Sequence, residues 1–278
     1  MSDLFAPWTA ALHTPGVLDT LRNVFLGNFA LEAGRYFIAV TLMWGLLHVL
    51  LRRRLAHRVI AGWPTARDLR REIGYSVSSM LVFAGVGLVV FALVITGRFV
   101  IYGDPGKYGW AWFWLSLPVM IVWHDVYFYW THRLLHRRWL FRHVHGVHHR
   151  SRNPSPWAAY SFHPVEAFIN ALVTPLALLV VPLHGGVLFI FMLHQIVRNA
   201  HGHAAVETMP RGFVRHWLGR HFTTTTHHHM HHETASGNYG LWFTWCDRWC
   251  GTEQGDYAKR FDASTAPRPA APRVLAEA

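Results

Sequence analysis

The sequence predicts an all-α membrane protein: a polytopic helix bundle of three spans plus a short helical hairpin, carrying a cytosolic, histidine-rich helical cap. Three observations predict it. Hydrophobic residues make up 52% of the 278 residues and charged residues only 15%, against about 25% charged in a typical globular protein. Uncharged apolar runs recur at lengths that suit a bilayer. Histidine occurs 22 times, and many of these histidines cluster between and after the apolar runs.

Three apolar runs predict membrane spans. The first covers residues 36–51, and the preceding residues from about Phe29 bring it to the roughly 20 residues that cross a bilayer. The second, residues 75–96, is uncharged throughout. The third, residues 110–130, is rich in Trp and Tyr, which are typical of membrane interfaces.

Loop charge predicts which ends of these spans face the cytoplasm. Residues 52–71 and 131–152 are rich in Arg, whereas the loop 97–109 holds few charges. The positive-inside rule assigns Arg-rich loops to the cytoplasm and therefore places the loop 97–109 outside. We thus expect a multi-pass integral membrane protein.

A fourth apolar stretch, residues 165–197, is interrupted at Pro182, Gly185 and Gly186. It leaves two limbs of about 15 residues, each covering roughly 23 Å at ~1.5 Å per residue. Because a bilayer core is ~30 Å thick, we expect a hairpin that is either thinly spanning or re-entrant. Both of its ends return to one side, so residues 131–163 and 199–232 should lie on the same cytoplasmic face.

Net charge and cysteine content exclude other classes of protein. The formal charge is +11, but its Arg residues flank apolar runs as membrane loops do, so we expect no nucleic-acid partner. Two cysteines, Cys246 and Cys250, are too few for a disulfide scaffold.

Eight histidines follow spacings that suit a metal site. His132 and His136 lie four residues apart, and the pattern HxxHH occurs twice, at 145–149 and at 228–232. Residues three or four apart on a helix share a face, so their rings can converge on one ion. The predicted metal ligands are His132, His136, His145, His148, His149, His228, His231 and His232, with His203 as a ninth and Asn199 and His227 as further candidates.

Nine ligands fit two ions better than one, because an ion that keeps positions open for reaction takes about four or five ligands from protein. Structural zinc favours cysteine and closes at four ligands, and the zinc-protease pattern HExxH is absent. Iron is therefore the favoured metal.

Four segments in fixed order resemble the fatty acid hydroxylase/sterol desaturase superfamily: HDVYFYWTHRLLH (124–136), HVHGVHHRSRNPSPWAAYSFHPVEA (143–167), NAHGHAAVE (199–207) and THHHMHHETASGNYGLWFTWCDRWCGTE (226–253). The resemblance covers about residues 110–253. It implies two iron ions in a histidine-rich site at the cytosolic membrane face, with O2 as co-substrate and electrons supplied from outside. His203 matches the lone histidine after the hairpin in this family, although Ala205-Val206-Glu207 stands where a Gly-Tyr-acid sequence is usual.

The resemblance also divides the chain. We expect N-terminal membrane helices and connecting loops at 1–109, the catalytic di-iron region at 110–260 and a disordered tail at 261–278, which is rich in Ala, Pro and Arg.

Four polar residues are candidates to hydrogen-bond a ligand imidazole from behind and fix its tautomer: Asp125, Glu166, Glu207 and His163. Asp125 lies seven residues before His132, on roughly the same helix face, and an ion pair with an Arg is an equally good reading of it.

The predicted function is O2-dependent hydroxylation or desaturation of an unactivated C–H position in a membrane lipid, either sterol-like or fatty acyl. The sequence has no flavin, haem or dinucleotide fingerprint, so electrons should come from a separate donor, a ferredoxin or a small cytochrome with its reductase. The alternatives are a membrane metal transporter or metal-binding protein and a surface that binds nucleic acid or anionic lipid. The transporter fits less well because its sites should be distributed through the bilayer, and the surface leaves the histidine spacing unexplained.

Overall fold

The computed structural model describes residues 16–267, and this part of the chain is mostly helical. Helix α1 spans Val17–Trp44 and continues through a π-helical turn at Gly45–Leu50. After the short helix α2 (Arg52–Leu55) and a 3-10 turn at Ala56–Arg58, helix α3 spans Ala66–Ile95. Residues Val17–Leu50 and Ala66–Ile95 are the two segments of the described chain that are long and apolar enough to cross a membrane.

Both long helices begin well before the apolar runs that predict them. Helix α3 starts after Thr65, whose side chain accepts a hydrogen bond from the Asp68 amide while the Asp68 carboxylate accepts one from the Thr65 amide. This capping box satisfies two amides that the first turn would otherwise leave unpaired. The polar first turns are thus helical too, which hydropathy alone does not indicate.

The third predicted span is one continuous helix, α4 (Trp110–Leu135), despite Pro118 in its interior. It extends beyond the predicted end at residue 130, so that His132 lies in its last turn and His136 directly follows it. The short helix α5 (Arg138–His143) then turns the chain toward the first HxxHH pattern.

The predicted hairpin is present, with its first limb divided into α6 (Pro164–Ala171) and α7 (Val173–Leu178) and its second limb formed by α8 (Gly185–Gly202). Its tip reaches the loop between α3 and α4, where strand β1 (Ile101–Tyr102) pairs in parallel with β2 (Leu183–His184). The hairpin therefore extends to the same end of the bundle as α3 and α4. Its two bases meet at the other end, where Asn199 Nδ2 donates to the Ala159 carbonyl at 2.6 Å.

The remaining elements form a cap at the base of the hairpin. It contains α9 (Thr225–Thr234), α10 (Trp245–Trp249) and α11 (Tyr257–Ser264). Short 3-10 helices complete it at His145–Arg150, Pro156–Tyr160, Phe213–Arg215 and Gly219–His221. Sheet is limited, in the described chain, to the β1–β2 pair and single bridges at Val59–Val206 and Phe222–Phe243.

The predicted disordered tail begins too early. Residues up to Ser264 belong to α11, and Phe261 is fully buried against Val214, Met230 and Tyr257. Apolar side chains four residues apart, Tyr257 and Phe261, give this helix a face that packs on the cap. Residues 268–278 lie outside the described residues.

The N-terminal helices pack directly on the cap. Tyr36 of α1 donates from its hydroxyl to the Trp157 carbonyl at 2.7 Å and stacks on Tyr160 with ring centroids 5.3 Å apart. Ser76 of α3 donates to the same carbonyl at 3.1 Å. Residues 1–109, predicted as a separate region, thus help to position the segment that follows the first HxxHH pattern.

The fold predicts that two segments of the cap are accessible to a labelling reagent from the same side of the membrane. In a protein whose Cys246 and Cys250 are replaced by Ser, the variants Arg150→Cys and Ser236→Cys should react with an impermeant maleimide from the same side of the membrane, because His149 and His231 are in contact. Asp104→Cys, in the loop between α3 and α4, should react from the opposite side. Labelling of positions 150 and 236 from opposite sides would contradict this arrangement.

Candidate metal centre

The structure brings all nine predicted histidine ligands together in two groups. The five-histidine group consists of His132, His136, His145, His149 and His231; the four-histidine group consists of His148, His203, His228 and His232. Within each group, the candidate ligand nitrogens all lie within 4.8 Å of one another. Eight of the nine side chains are buried and His136 is half-buried.

Each HxxHH pattern contributes to both groups. In the first pattern, His145 and His149 enter the five-histidine group and His148 the other; in the second, His228 and His232 enter the four-histidine group and His231 the other. The first pattern forms a 3-10 helix and the second lies on α9. Adjacent histidines of one pattern, such as His148 and His149, thus enter different groups. The two groups therefore adjoin, and the centroids of the His149 and His232 rings are 4.8 Å apart.

Backbone carbonyls fix the protonation of four of these rings. In each case Nδ1 lies within hydrogen-bond distance of a carbonyl oxygen: His132 to Tyr239 (2.8 Å), His148 to Ser161 (3.2 Å), His203 to Asn199 (2.8 Å) and His231 to Gly237 (2.7 Å). A carbonyl oxygen can only accept, so Nδ1 carries the proton and donates it. The neutral ring then presents an unprotonated Nε2.

A carboxylate fixes the protonation of a fifth ring. His145 Nδ1 donates to Glu166 Oε1 at 2.7 Å, and both side chains are almost completely buried. Glu166 is thus placed behind a candidate ligand, as the sequence predicts.

The opposing Nε2 atoms are too close for neutral rings without a shared cation or proton. His132 and His145 bring Nε2 atoms to 3.0 Å, and His148 and His203 bring theirs to 3.3 Å. Carbonyls hold the proton on Nδ1 of His132, His148 and His203, and an ionised Glu166 holds it on Nδ1 of His145, so the lone pairs of each pair face each other. Two nitrogens bound at right angles to one ion with bonds of ~2.1 Å lie ~3.0 Å apart. The residues present therefore fit one transition-metal ion in each group.

Burial keeps the cap histidines in the form that binds metal. Desolvation, reinforced by neighbouring imidazoles, holds the pKa of His145, His148, His228, His231 and His232 well below the usual value. Burial lowers the pKa of His149 to about 3 and that of His203 to about 4. These rings are neutral at pH 7, and a neutral imidazole needs no proton release to bind an ion.

Glu207 has a different role from the predicted one. Its Oε2 accepts from the Thr226 amide at 2.9 Å and from the Thr226 hydroxyl at 2.7 Å, and its Oε1 accepts from the Met209 amide. A carboxylate at the first turn of a helix satisfies free amides and suits the helix dipole. Glu207 therefore anchors α9 and contacts no candidate ligand ring.

Asp125 also departs from both predictions made for it. Its Oδ1 accepts from the Trp242 amide at 2.9 Å and its Oδ2 from the Trp245 indole at 2.8 Å. No arginine forms an ion pair with it in the described chain. Its carboxylate instead holds the segment that follows Tyr239, the residue whose carbonyl orients His132.

The three other candidates lie beside the groups. His163 caps α6, where its Nδ1 accepts from the Val165 amide at 3.2 Å. The Asn199 side chain binds the Ala159 carbonyl, while its backbone carbonyl orients His203. His227 points the other way from α9, with Nε2 3.8 Å from Asp247 Oδ2.

Sequence reasoning misses Asp247, which shapes the loop that supplies two of the orienting carbonyls. Its Oδ1 accepts from the Tyr239 amide at 2.8 Å and its Oδ2 from the Gly240 amide at 2.7 Å. The signal that could have found it is the turn sequence Gly237-Asn238-Tyr239-Gly240, whose free amides need an acceptor.

An apolar cavity of about 460 Å³ lies among α1, α3, α4 and the hairpin. Phe128 and Phe162 line it. Phe128 contacts His132, with ring centroids 4.9 Å apart, and Phe162 contacts His148 at 5.0 Å. One wall residue therefore adjoins each histidine group.

A polar cleft of about 850 Å³ lies on the other side. His149 and His232, one from each group, contribute to its lining. Four arginines also line it: Arg67, Arg71, Arg150 and Arg152. The two histidine groups thus lie between an apolar cavity and a basic cleft.

Comparisons with known proteins all point to one family. A family model described as fatty acid hydroxylase matches residues 117–252. A Delta(7)-sterol 5(6)-desaturase of Gibberella zeae is 29% identical over 188 residues, covering 67% of this chain and 56% of the relative. The lathosterol oxidase of Rattus norvegicus is 31% identical over 186 residues, covering 65% of this chain and 60% of the relative.

A putative methylsterol monooxygenase of Dictyostelium discoideum is 30% identical over 138 residues, which is 49% of each chain. The matched regions thus span less than two thirds of these relatives' own lengths. No solved structure matches the chain.

The Glu166 contact predicts the effect of a conservative substitution on metal affinity. Glu166→Gln keeps the size of the side chain but replaces a charged acceptor of the His145 proton with a neutral one. Loss of such a partner lowers metal affinity by ~10-fold or more, which competition with a chelator measures. The control is Glu233→Gln, because Glu233 is exposed and paired with Arg260. Equal metal retention by the Glu166→Gln variant and the wild type would refute the assignment.

Proposed function

Since the chain belongs to the fatty acid hydroxylase/sterol desaturase superfamily, we propose that it is a membrane-bound, non-haem di-iron oxidoreductase that hydroxylates or desaturates an unactivated C–H position of a membrane lipid. The observation that carries this proposal is the convergence of nine histidines into two adjoining groups with facing Nε2 atoms.

We assign one iron ion to each group. Two bound irons would supply the O2-dependent oxidation that an unactivated C–H bond requires. The protein's part is to orient the neutral rings, and five of the nine are held this way, four by carbonyls and one by Glu166. His136, half-buried at the end of α4, has Nε2 without a hydrogen-bond partner in the described chain, which suits a ligand role.

The apolar cavity supports a lipid substrate. Its walls are mainly aromatic and aliphatic, and Phe128 and Phe162 bring it up to both histidine groups. The relatives' names refer to sterols, so a sterol-like substrate is preferred over a fatty acyl chain. Whether the lipid is hydroxylated or desaturated depends on how the cavity places a second hydrogen relative to the metal pair.

The basic cleft supports a separate electron donor. The lining of the cleft includes His149 and His232, one from each group, together with Arg67, Arg71, Arg150, Arg152 and the single acidic residue Glu233. A small acidic redox protein, such as a ferredoxin or a cytochrome, would be attracted to such a surface.

We further propose that this end of the bundle is cytoplasmic, with α1, α3 and α4 as spans and the hairpin inserted beside them. Arg52, Arg53 and Arg54 follow α1 directly, and Arg67 and Arg150 line the cleft at the same end. Clusters of arginine beside spans mark the cytoplasmic face.

Two alanine variants test the function, one for each group. His148→Ala and His231→Ala should abolish product formation from lipid, because each removes a ring that faces another ligand nitrogen, while membrane insertion remains intact. Lipid mass spectrometry and iron analysis of the purified protein provide the measurements. His216→Ala, at an exposed position outside both groups, is the control and should leave product and iron unchanged.

Normal turnover with full iron in either variant would remove that histidine from the ligand set. Labile zinc or manganese in the wild type, with no turnover, would favour the metal transporter instead.

A further inference from the structure

Three polar residues of α1 line the wall of the apolar cavity: Asn28, Glu32 and Arg35. We call them the polar stripe. Spacings of four and three residues place them on one face of the helix. Helix α1 is apolar enough to cross a membrane, and ionisable residues in such a segment are costly and usually functional.

Glu32 and Arg35 form an ion pair within the stripe, through Oε1 and a terminal guanidinium nitrogen. Arg35 is only 8% exposed and Glu32 16%. Apolar side chains of similar volume at such buried positions are commonly as stabilising as an ion pair. Stability alone therefore gives no reason for charge here, and the pair leaves the cavity wall with no net charge.

Two donors of the stripe have no hydrogen-bond partner in the described chain. They are Arg35 Nε and Asn28 Nδ2, and both atoms are buried. A buried donor without an acceptor is destabilising. Both residues line the cavity, so a rotation of either side chain would bring its donor to an oxygen atom of a molecule inside it.

The position of Asn28 depends on Gly87 of α3, which also lines the cavity. A Cβ atom at Gly87 would lie 2.8 Å from Asn28 Nδ2, so any larger residue there would displace the amide. On another wall, the Tyr160 hydroxyl already donates to Gln195 Oε1 at 3.2 Å. His124 Nδ1 and Thr174 Oγ1, on other walls, also lack a hydrogen-bond partner, but the two donors of α1 are the ones that adjoin an ion pair.

We propose that the polar stripe binds the hydroxyl group of a neutral lipid, with Arg35 and Asn28 donating to the hydroxyl oxygen and Glu32 accepting its proton. A hydroxyl both accepts and donates, which matches an uncharged wall that offers both. The Glu32 carboxylate would repel a free carboxylate, and the Arg35 guanidinium would repel a quaternary ammonium. The apolar body of the lipid fills the rest of the cavity, up to Phe128 and Phe162.

This inference rests on the proposed function for the meaning of the cavity, but its test needs no turnover. Protein purified with its bound metal, in a nonionic detergent and without reductant, is titrated with a tritiated sterol alcohol, with the methyl ether of the same sterol and with palmitate. The methyl ether keeps the acceptor and loses the donor. Wild type should bind the alcohol more tightly than the ether by ~10-fold, and more tightly than palmitate, because the ether leaves the Glu32 carboxylate without a donor.

The decisive variant is the double substitution Glu32→Leu with Arg35→Leu, which removes the pair without leaving an unpaired charge. It should bind both sterols with equal affinity. The control is Asp19→Leu with Arg22→Leu, which removes a pair of the same spacing on the same helix that is 68% and 64% exposed; it should keep the preference for the alcohol. If the double variant does not fold, Asn28→Leu, which breaks no ion pair, should weaken binding of the alcohol and of the ether alike, because both offer the same acceptor oxygen; unchanged affinity for both would contradict the role of Asn28.

Three results would overturn the inference: equal binding of alcohol and ether by wild type, a preference that survives in the double variant, or tighter binding of palmitate than of the alcohol. Iron loading and turnover are measured in parallel on wild type. Iron-loaded wild type that binds the alcohol but produces no oxidised lipid contradicts the proposed function alone, whereas normal turnover without the binding preference contradicts this inference alone.

Discussion

The whole arrangement depends on one electrostatic constraint: neutral imidazoles face one another with unprotonated nitrogens about 3 Å apart in a buried site. Facing lone pairs repel, and the desolvated rings resist protonation because burial depresses the pKa of those in the cap. A cation in each group would convert both costs into coordination bonds. The surrounding structure can be understood as the means of holding nine rings in this otherwise unfavourable geometry.

Backbone carbonyls orient most of the rings whose partners are known. Four rings donate to carbonyls on three different segments, at Ser161, at Asn199 and in the turn that contains Gly237 and Tyr239. Acidic residues secure the turn and the helix that carries the second HxxHH pattern: Asp247 shapes the turn, Asp125 holds the chain after Tyr239 and Glu207 anchors α9. The carboxylates other than Glu166 therefore act on ring geometry through the backbone.

The nine candidate histidines could be selected from the sequence because histidine spacing is a local signal, and the structure brings them together; the hairpin could be predicted from Pro182, Gly185 and Gly186. The division of each HxxHH pattern between two groups could not, since it depends on how a 3-10 helix and α9 approach each other. Asp125 illustrates the same limit: its helix face follows from spacing, but its partners, 117 to 120 residues away, follow only from the tertiary fold. The helical tail at Tyr257–Ser264 escapes prediction because its apolar face has just two members.

The most direct measurement is X-ray diffraction from crystals of the iron-loaded protein, with data collected at the iron absorption edge. The account predicts two anomalous peaks per chain, one among His132, His136, His145, His149 and His231 and one among His148, His203, His228 and His232. A single peak shared by the two groups, or iron located away from them, would contradict it.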